Sequence, residues 1–143
     1  MERMKRLTVL GATGSVGRRA LELIRHFPGQ FRVEGLAARG SNPDLVAELC
    51  RTHRPRVVAL ADERAVDVLA RALGHPRPEI LGGARGLVAL ARDVEADVVL
   101  SAIVGGAGLL PTMAAIETGK AVAIANKEPL VMAGSLMTAA ARR

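Results

Sequence analysis

Residues 7–17 decide the fold, and they read Leu-Thr-Val-Leu-Gly-Ala-Thr-Gly-Ser-Val-Gly. A short apolar run precedes glycines at positions 11, 14 and 17, and an amphipathic segment follows at once. Where a strand turns into a helix around a phosphate, the first glycine permits the turn and the second lets main-chain amides approach the anion. The third lets the helix pack close to the strand. We therefore predict a nucleotide-phosphate site, with a purely structural strand–turn–helix as the alternative, because the standard fingerprint is G-x-G-x-x-G.

The segment after the turn has a helical period. Ser15 is a candidate N-cap, and the hydroxyl groups of Thr13 and Ser15 are candidate donors to the phosphate. One face carries the apolar residues Val16, Ala20, Leu23, Ile24 and Phe27, and the other carries Arg18, Arg19, Glu22 and Arg25. The pattern predicts that the apolar face packs against a sheet.

Apolar runs alternate with helical patterns along the whole chain. We predict strands at about 5–10, 31–38, 56–60, 79–81, 97–103 and 121–125. Helices are predicted at about 15–27, 43–53, 62–73, 84–93, 108–118 and 128–142. Short strands that alternate with helices favour an α/β fold: a Rossmann-like, doubly wound, mostly parallel sheet with helices on both faces. Residues 1–143 are interpreted as one such domain.

Four predicted loops follow strands, at 11–17, 38–42, 102–108 and 125–128. Because ligands of open α/β sheets bind beyond the carboxyl ends of the strands, we expect these loops to form one site.

Composition restricts the partners. Half of the 143 residues are apolar and the net charge is +6, but the only aromatic residues are Phe27 and Phe31. Scattered basic residues without interleaved aromatics argue against nucleic acid and fit an anionic small molecule. The stretch from Val98 to Ile116 has no charge, but Gly105, Gly106, Gly108 and Pro111 interrupt it, so we expect no membrane span.

Cysteine and histidine usage points to a reducing compartment and no metal site. The single Cys50 excludes an intrachain disulfide, favours the cytoplasm and is interpreted as a packing residue of a helix face. His26, His53 and His75 share no ligand spacing and lie near predicted helix ends.

The end of the second predicted strand indicates which dinucleotide binds. An NAD site places an acid there, but the only acid of this strand is Glu34, in its middle. Arg39, Ser41 and Asn42 offer donors instead, and a guanidinium can hold a 2′-phosphate. We predict NADP rather than NAD; the alternative is a polar loop in which Asn42 starts a helix.

Ala125-Asn126-Lys127-Glu128 places an amide, a cation and a carboxylate directly after a predicted strand. Such a cluster can hold a polar ligand and an anionic substrate. It can equally start a helix, with Glu128 at the positive end and Pro129 in the first turn.

Together these motifs resemble the 1-deoxy-D-xylulose 5-phosphate reductoisomerase family. The resemblance rests on the following stretches: residues 10–17, Phe31-Arg32-Val33, Leu36-Ala37-Ala38, Gly40-Ser41-Asn42, residues 102–112 and Ala125-Asn126-Lys127-Glu128. The blocks at 102–112 and 125–128 are the most specific. They cover the chain but match only the N-terminal part of the family's length.

The resemblance implies an NADPH-dependent oxidoreductase of isoprene biosynthesis. The family isomerises 1-deoxy-D-xylulose 5-phosphate and reduces it to 2-C-methyl-D-erythritol 4-phosphate. By position, the pyrophosphate would be bound by Thr13, Gly14, Ser15 and Val16. The adenosine phosphate would be surrounded by Gly40, Ser41 and Asn42, with the 2′-phosphate met by Arg39 or Ser41. Asn126 and Glu128 would contact the cofactor, and Lys127 would reach the phosphorylated sugar substrate.

The family also uses a divalent metal, magnesium or manganese, held by a Val-Asp-Ser-Glu-type segment. No acid follows Glu128, so we expect metal only in the full-length enzyme, and cofactor binding without turnover by this chain. A homodimer is expected of the full-length enzyme. The alternatives are a non-catalytic NADP-binding regulator and the cofactor domain of another oxidoreductase, such as aspartate-semialdehyde dehydrogenase.

Overall fold

Six strands alternate with five α-helices in the computed structural model, which describes residues 3–125. The elements are β1 Lys5–Leu10, α1 Ser15–Ile24, β2 Phe31–Ala38, α2 Pro43–His53, β3 Val57–Leu60, α3 Ala65–Leu73, β4 Glu79–Gly82, α4 Gly83–Asp93, β5 Val98–Ser101, α5 Leu109–Glu117 and β6 Ala121–Ile124. A short 3₁₀ helix, Gly106–Gly108, precedes α5. The predicted elements within this range are confirmed, with ends that differ by up to three residues; the helix predicted at 128–142 lies outside it.

The strands form a single parallel sheet with the order β4-β3-β2-β1-β5-β6. The chain adds strands on one side of β1 as far as β4 and then crosses to the other side of β1 to form β5. This reversal confirms the doubly wound, Rossmann-like architecture. It also places a topological switch point between β1 and β5, which is where such sheets bind ligands.

Two apolar cores lie on the two faces of the sheet. One packs α1, α2 and α3 against alternate strand residues and contains Leu21, Val46 and Leu69. The other packs α4 and α5 and contains Leu90 and Ala115. The buried residues of both cores are Leu, Val and Ala, with Cys50 in the first core, as expected for a parallel sheet that is covered on both faces.

The apolar face predicted for α1 is confirmed only in part: Ile24 packs against the core and Ala20 is half-buried. Val16, Leu23 and Phe27 are exposed, Leu23 by 58%, and Gly17 and Leu21 are the buried residues of this helix. The reason is steric: a Cβ at Gly17 would lie 2.1 Å from the Gly11 carbonyl oxygen, so α1 has to turn its glycine toward the preceding turn. The residue one turn further on, Leu21, consequently enters the core.

The uncharged stretch from Val98 to Ile116 is divided among β5, a loop, the 3₁₀ helix and α5. Within residues 3–125, no helix has the length and apolar character needed to cross a membrane.

Leu69 and Val68 offer a matched test of the core on α3. Leu69 is fully buried, whereas its neighbour Val68 is 48% exposed. We expect Leu69→Ala to lower the free energy of unfolding by about 2–5 kcal/mol, because it removes buried methyl groups and leaves a cavity. Val68→Ala should change it by less than about 0.5 kcal/mol. Urea unfolding followed by circular dichroism measures both, and equal effects would contradict this packing.

Cys50 is buried on the inner face of α2, which confirms its predicted packing role. Burial raises the pKa of its thiol to about 11, against the opposing effect of the neighbouring Arg51 charge. Since only the thiolate reacts, we expect the native chain to react with a disulfide reagent at pH 8 about 100-fold more slowly than an exposed thiol. The chain unfolded in guanidinium is the control. An equal rate in the native and unfolded chains would contradict the burial.

Candidate functional site

Three main-chain segments meet at the switch point. Gly11 has a φ of 88°, and a Cβ there would lie 2.5 Å from the carbonyl oxygen of Ala102, which follows β5. A Cβ at Gly17 would lie 2.1 Å from the Gly11 carbonyl oxygen. The turn after β1 is therefore held between α1 and the loop after β5, and neither position has space for a side chain.

The N-terminus of α1 lies at this switch point. No side chain between residues 3 and 125 caps its main-chain amides. The N-cap is Gly14, with extended backbone (φ −76°, ψ 168°), so the predicted capping role of Ser15 is wrong because Ser15 is already helical. The described residues provide no side-chain hydrogen bond to this end and no acid in its first turn. Free amides and the positive end of the helix dipole can thus bind an anion.

The other predicted residues of this turn surround the same helix end. Thr13 and Gly14 are half-buried, whereas Ser15 and Val16 are exposed. A Cβ at Gly14 would meet only the Gly11 carbonyl oxygen, at 3.5 Å, so the N-cap position has room for a side chain.

The loop after β2 lies at the same edge. Arg39, Ser41 and Asn42 are exposed and Gly40 is buried. The side-chain oxygen of Asn42 accepts a hydrogen bond from the Leu45 amide at 3.2 Å, so Asn42 caps α2. The expected helix start at Asn42 is therefore confirmed, and it leaves the exposed Arg39 and Ser41 available to a ligand.

The acid of β2 lies where the sequence indicates, and a second acid contacts this loop from the end of β3. Glu34 is buried within β2, where its Oε1 forms an ion pair with Arg32 Nε at 3.1 Å, so it does not reach the edge. Sequence reasoning missed Asp62, which follows β3 and whose amide donates to the Arg39 carbonyl at 2.9 Å. The available signal was an acid placed directly after a strand.

The loop after β5 is fixed by a buried pair of hydroxyl groups that sequence reasoning also missed. The Oγ of Ser101 lies 2.6 Å from Thr112 Oγ1, which donates to the Gly108 carbonyl at 2.6 Å. Both residues are fully buried, and they connect the end of β5 to the first turns of α5. This contact holds residues 102–108 beside the glycine turn, where the exposed Val104 lies.

The fourth predicted loop begins at the same edge, because the Ala125 amide donates to the Ser101 carbonyl at 2.9 Å. Asn126, Lys127 and Glu128 lie outside the described residues. Between residues 3 and 125, no group of three His, Cys, Asp or Glu side chains comes together to hold a metal ion.

A cavity of about 720 Å³ lies at the opposite edge, where β3 and β4 begin, and it is lined by Arg51, Arg54, Arg56 and Arg77. Arg51 and Arg77 donate to the carbonyls of Ala72 and Ala70 in the last turns of α3. These cations complement a helix C-terminus, so we do not assign the dinucleotide to this cavity.

A sequence model described as 1-deoxy-D-xylulose 5-phosphate reductoisomerase matches residues 7–134. The enzyme of that name from Geobacter metallireducens is 50% identical over 134 residues, which are 94% of this chain and 35% of the relative. That from Thermodesulfovibrio yellowstonii is 47% identical over 94% of this chain and 34% of the relative. The chain therefore spans about a third of the length of the curated relatives it matches.

Solved structures agree with the sequence comparisons. The Zymomonas mobilis 1-deoxy-D-xylulose 5-phosphate reductoisomerase in complex with NADPH superposes with a TM-score of 0.91 and 40% identity, over 97% of this chain and 36% of that one. A reductoisomerase complex with NADPH, fosmidomycin and magnesium has a TM-score of 0.91 and 36% identity, over 97% of this chain and 34% of that one. The chain belongs to the 1-deoxy-D-xylulose 5-phosphate reductoisomerase family.

Proposed function

We propose that this chain binds NADPH as the cofactor domain of a reductoisomerase. The complete enzyme would isomerise 1-deoxy-D-xylulose 5-phosphate and reduce it to 2-C-methyl-D-erythritol 4-phosphate. The observation that carries the proposal is the uncapped, acid-free N-terminus of α1 at the switch point of the sheet. That NADPH is present in a solved relative 40% identical to this chain supports the choice of ligand.

The diphosphate of the cofactor would lie against the first turn of α1. It would be surrounded there by the amides that follow Gly14, by the hydroxyls of Thr13 and Ser15, and by Val16. Main-chain amides aimed at one point hold a diphosphate without reorganising, and the helix dipole adds to the attraction.

The adenosine end would lie on the loop after β2. The proposal places the 2′-phosphate beside Arg39, Gly40, Ser41 and Asn42, in a region where the described acid of β2, Glu34, is buried away from the edge. Bound NADPH supplies a hydride, and the role of this chain's residues is to bind and orient it. By the resemblance, Asn126 and Glu128 would contact the cofactor and Lys127 the substrate.

The residues from 3 to 125 do not fit the magnesium that a solved relative holds, because they contain no convergent set of carboxylate or imidazole ligands. We therefore assign no metal-dependent step to them and place the metal ligands in other parts of the enzyme. A cytoplasmic location and a homodimer stay predictions.

Gly14→Asp tests the phosphate site directly. The backbone and space at Gly14 accept a side chain, and an aspartate there would cap the free amides itself. We expect an unchanged or higher stability but an affinity for both NADPH and NADH that is at least about tenfold lower, because like charges repel. Fluorescence titration measures it.

Gln30→Glu is the matched control, since it makes the same change in charge at the exposed residue before β2, at the opposite edge. Equal affinities for Gly14→Asp and Gln30→Glu would refute the phosphate site.

Arg39→Gln tests the choice of NADPH over NADH. If the guanidinium binds the 2′-phosphate, the variant should bind NADPH about tenfold more weakly and leave NADH binding unchanged. Ser41→Ala, measured in parallel by isothermal titration calorimetry, determines whether Ser41 shares that contact. A wild-type chain that prefers NADH would contradict the cofactor assignment.

A further inference from the structure

Asp62 stands beside the loop that would hold the adenosine 2′-phosphate. The Ala61 amide donates to the Ala38 carbonyl at 3.0 Å, and the Asp62 amide donates to the Arg39 carbonyl at 2.9 Å. A Cβ at Gly40 would lie 3.7 Å from the Asp62 Cβ. The loops after β2 and β3 are thus joined through their main chains, and an acid flanks the proposed phosphate position.

Arg64 covers this acid. Its amide and its Nε donate to Asp62 Oδ1 at 3.0 and 3.1 Å, and its Nη2 donates to Oδ2 at 3.4 Å. Both carboxylate oxygens are therefore engaged by one residue. The same contacts lower the pKa of Asp62, which keeps the carboxylate ionised at neutral pH.

An uncovered carboxylate at this place would favour the wrong dinucleotide. Acids beside the adenosine ribose accept hydrogen bonds from the 2′-hydroxyl of NAD, and a carboxylate repels a 2′-phosphate. Arg64 neutralises that charge. Its side chain is 91% exposed, and it donates to Asp62 through Nε and Nη2, so Nη1 keeps donors that can reach a ligand.

We propose that Arg64 determines dinucleotide specificity in this chain: by covering Asp62, it makes an acid-bearing edge accept a 2′-phosphate and disfavour a 2′-hydroxyl. Arg64 and Arg39 then supply guanidinium groups from neighbouring loops, after β3 and β2. This inference rests on the proposed binding of NADPH and adds to it the residue pair that selects the phosphorylated cofactor.

The experiment compares Arg64→Gln, Asp62→Asn and the double variant in the 143-residue chain, each titrated with NADPH and with NADH. We expect Arg64→Gln to lower the ratio of NADPH to NADH affinity about tenfold or more, since Asp62 becomes free to repel the phosphate and bind the hydroxyl. The double variant should regain at least about threefold of that ratio, because the repelling charge is gone. Asp62→Asn alone should retain the preference for NADPH.

Arg92→Gln is the matched control. Arg92 Nε and Nη2 donate to Asp93 at 2.8 and 3.2 Å. The substitution therefore removes an equivalent exposed ion pair at the end of α4, remote from the switch point. Its ratio should equal that of the wild type. Far-UV circular dichroism verifies that each variant is folded.

The outcomes separate the two proposals. A wild-type chain that binds no NADPH, or binds NADH more tightly, overturns the proposed function. A wild-type chain that prefers NADPH, with Arg64→Gln indistinguishable from Arg92→Gln, overturns only the role of Arg64. A double variant as impaired as Arg64→Gln overturns the covering of Asp62.

Discussion

The contact of three main-chain segments around Gly11 is the constraint on which the rest of the molecule depends. The Gly11 and Gly17 positions approach the carbonyls of Ala102 and Gly11 so closely that a methyl group fits at neither. Because β1, α1 and the loop after β5 are brought together there, the free amides of α1 face the point where the strand order reverses. The steric contact between backbones thus positions the electrostatic site.

The fold could be predicted from the sequence because alternating strand and helix patterns determine element order, and the glycine turn determines where the first crossover begins. The exact buried face of α1, with Gly17 and Leu21, could not be predicted. Leu23 and Phe27 suggest an inward apolar stripe, but the helix is oriented by its Gly17 backbone contact. A hydrophobic period depends on side chains only. It therefore cannot predict the orientation of a helix that is set by a glycine packed against a carbonyl.

Site residues could be predicted where their role depends on one loop alone. They could not be predicted where the role depends on a contact between two loops. Arg39 and Ser41 were found because they directly follow a strand that ends at the ligand-binding edge. The role of Asp62 depends on β3 lying beside β2, and the hydroxyl pair of Ser101 and Thr112 depends on the path of the intervening loop. The position of Asp62 after a strand is a signal in the sequence, but its contact with the loop after β2 has none, and neither has the hydroxyl pair, because both contacts arise from tertiary packing between elements.

The positions of the basic residues, more than the net charge of the chain, determine where an anion can bind. At the opposite edge, Arg51 and Arg77 are engaged with the carbonyls of α3, whose C-terminus attracts cations. At the ligand edge, the first turn of α1 has no acid, and Asp62 is covered by Arg64. An incoming phosphate therefore meets free amides at the first turn of α1, and at the loop after β2 it meets guanidinium groups beside a carboxylate that Arg64 engages. Because charges separated by more than a Debye length are screened, this local arrangement governs anion binding more than the net +6 does.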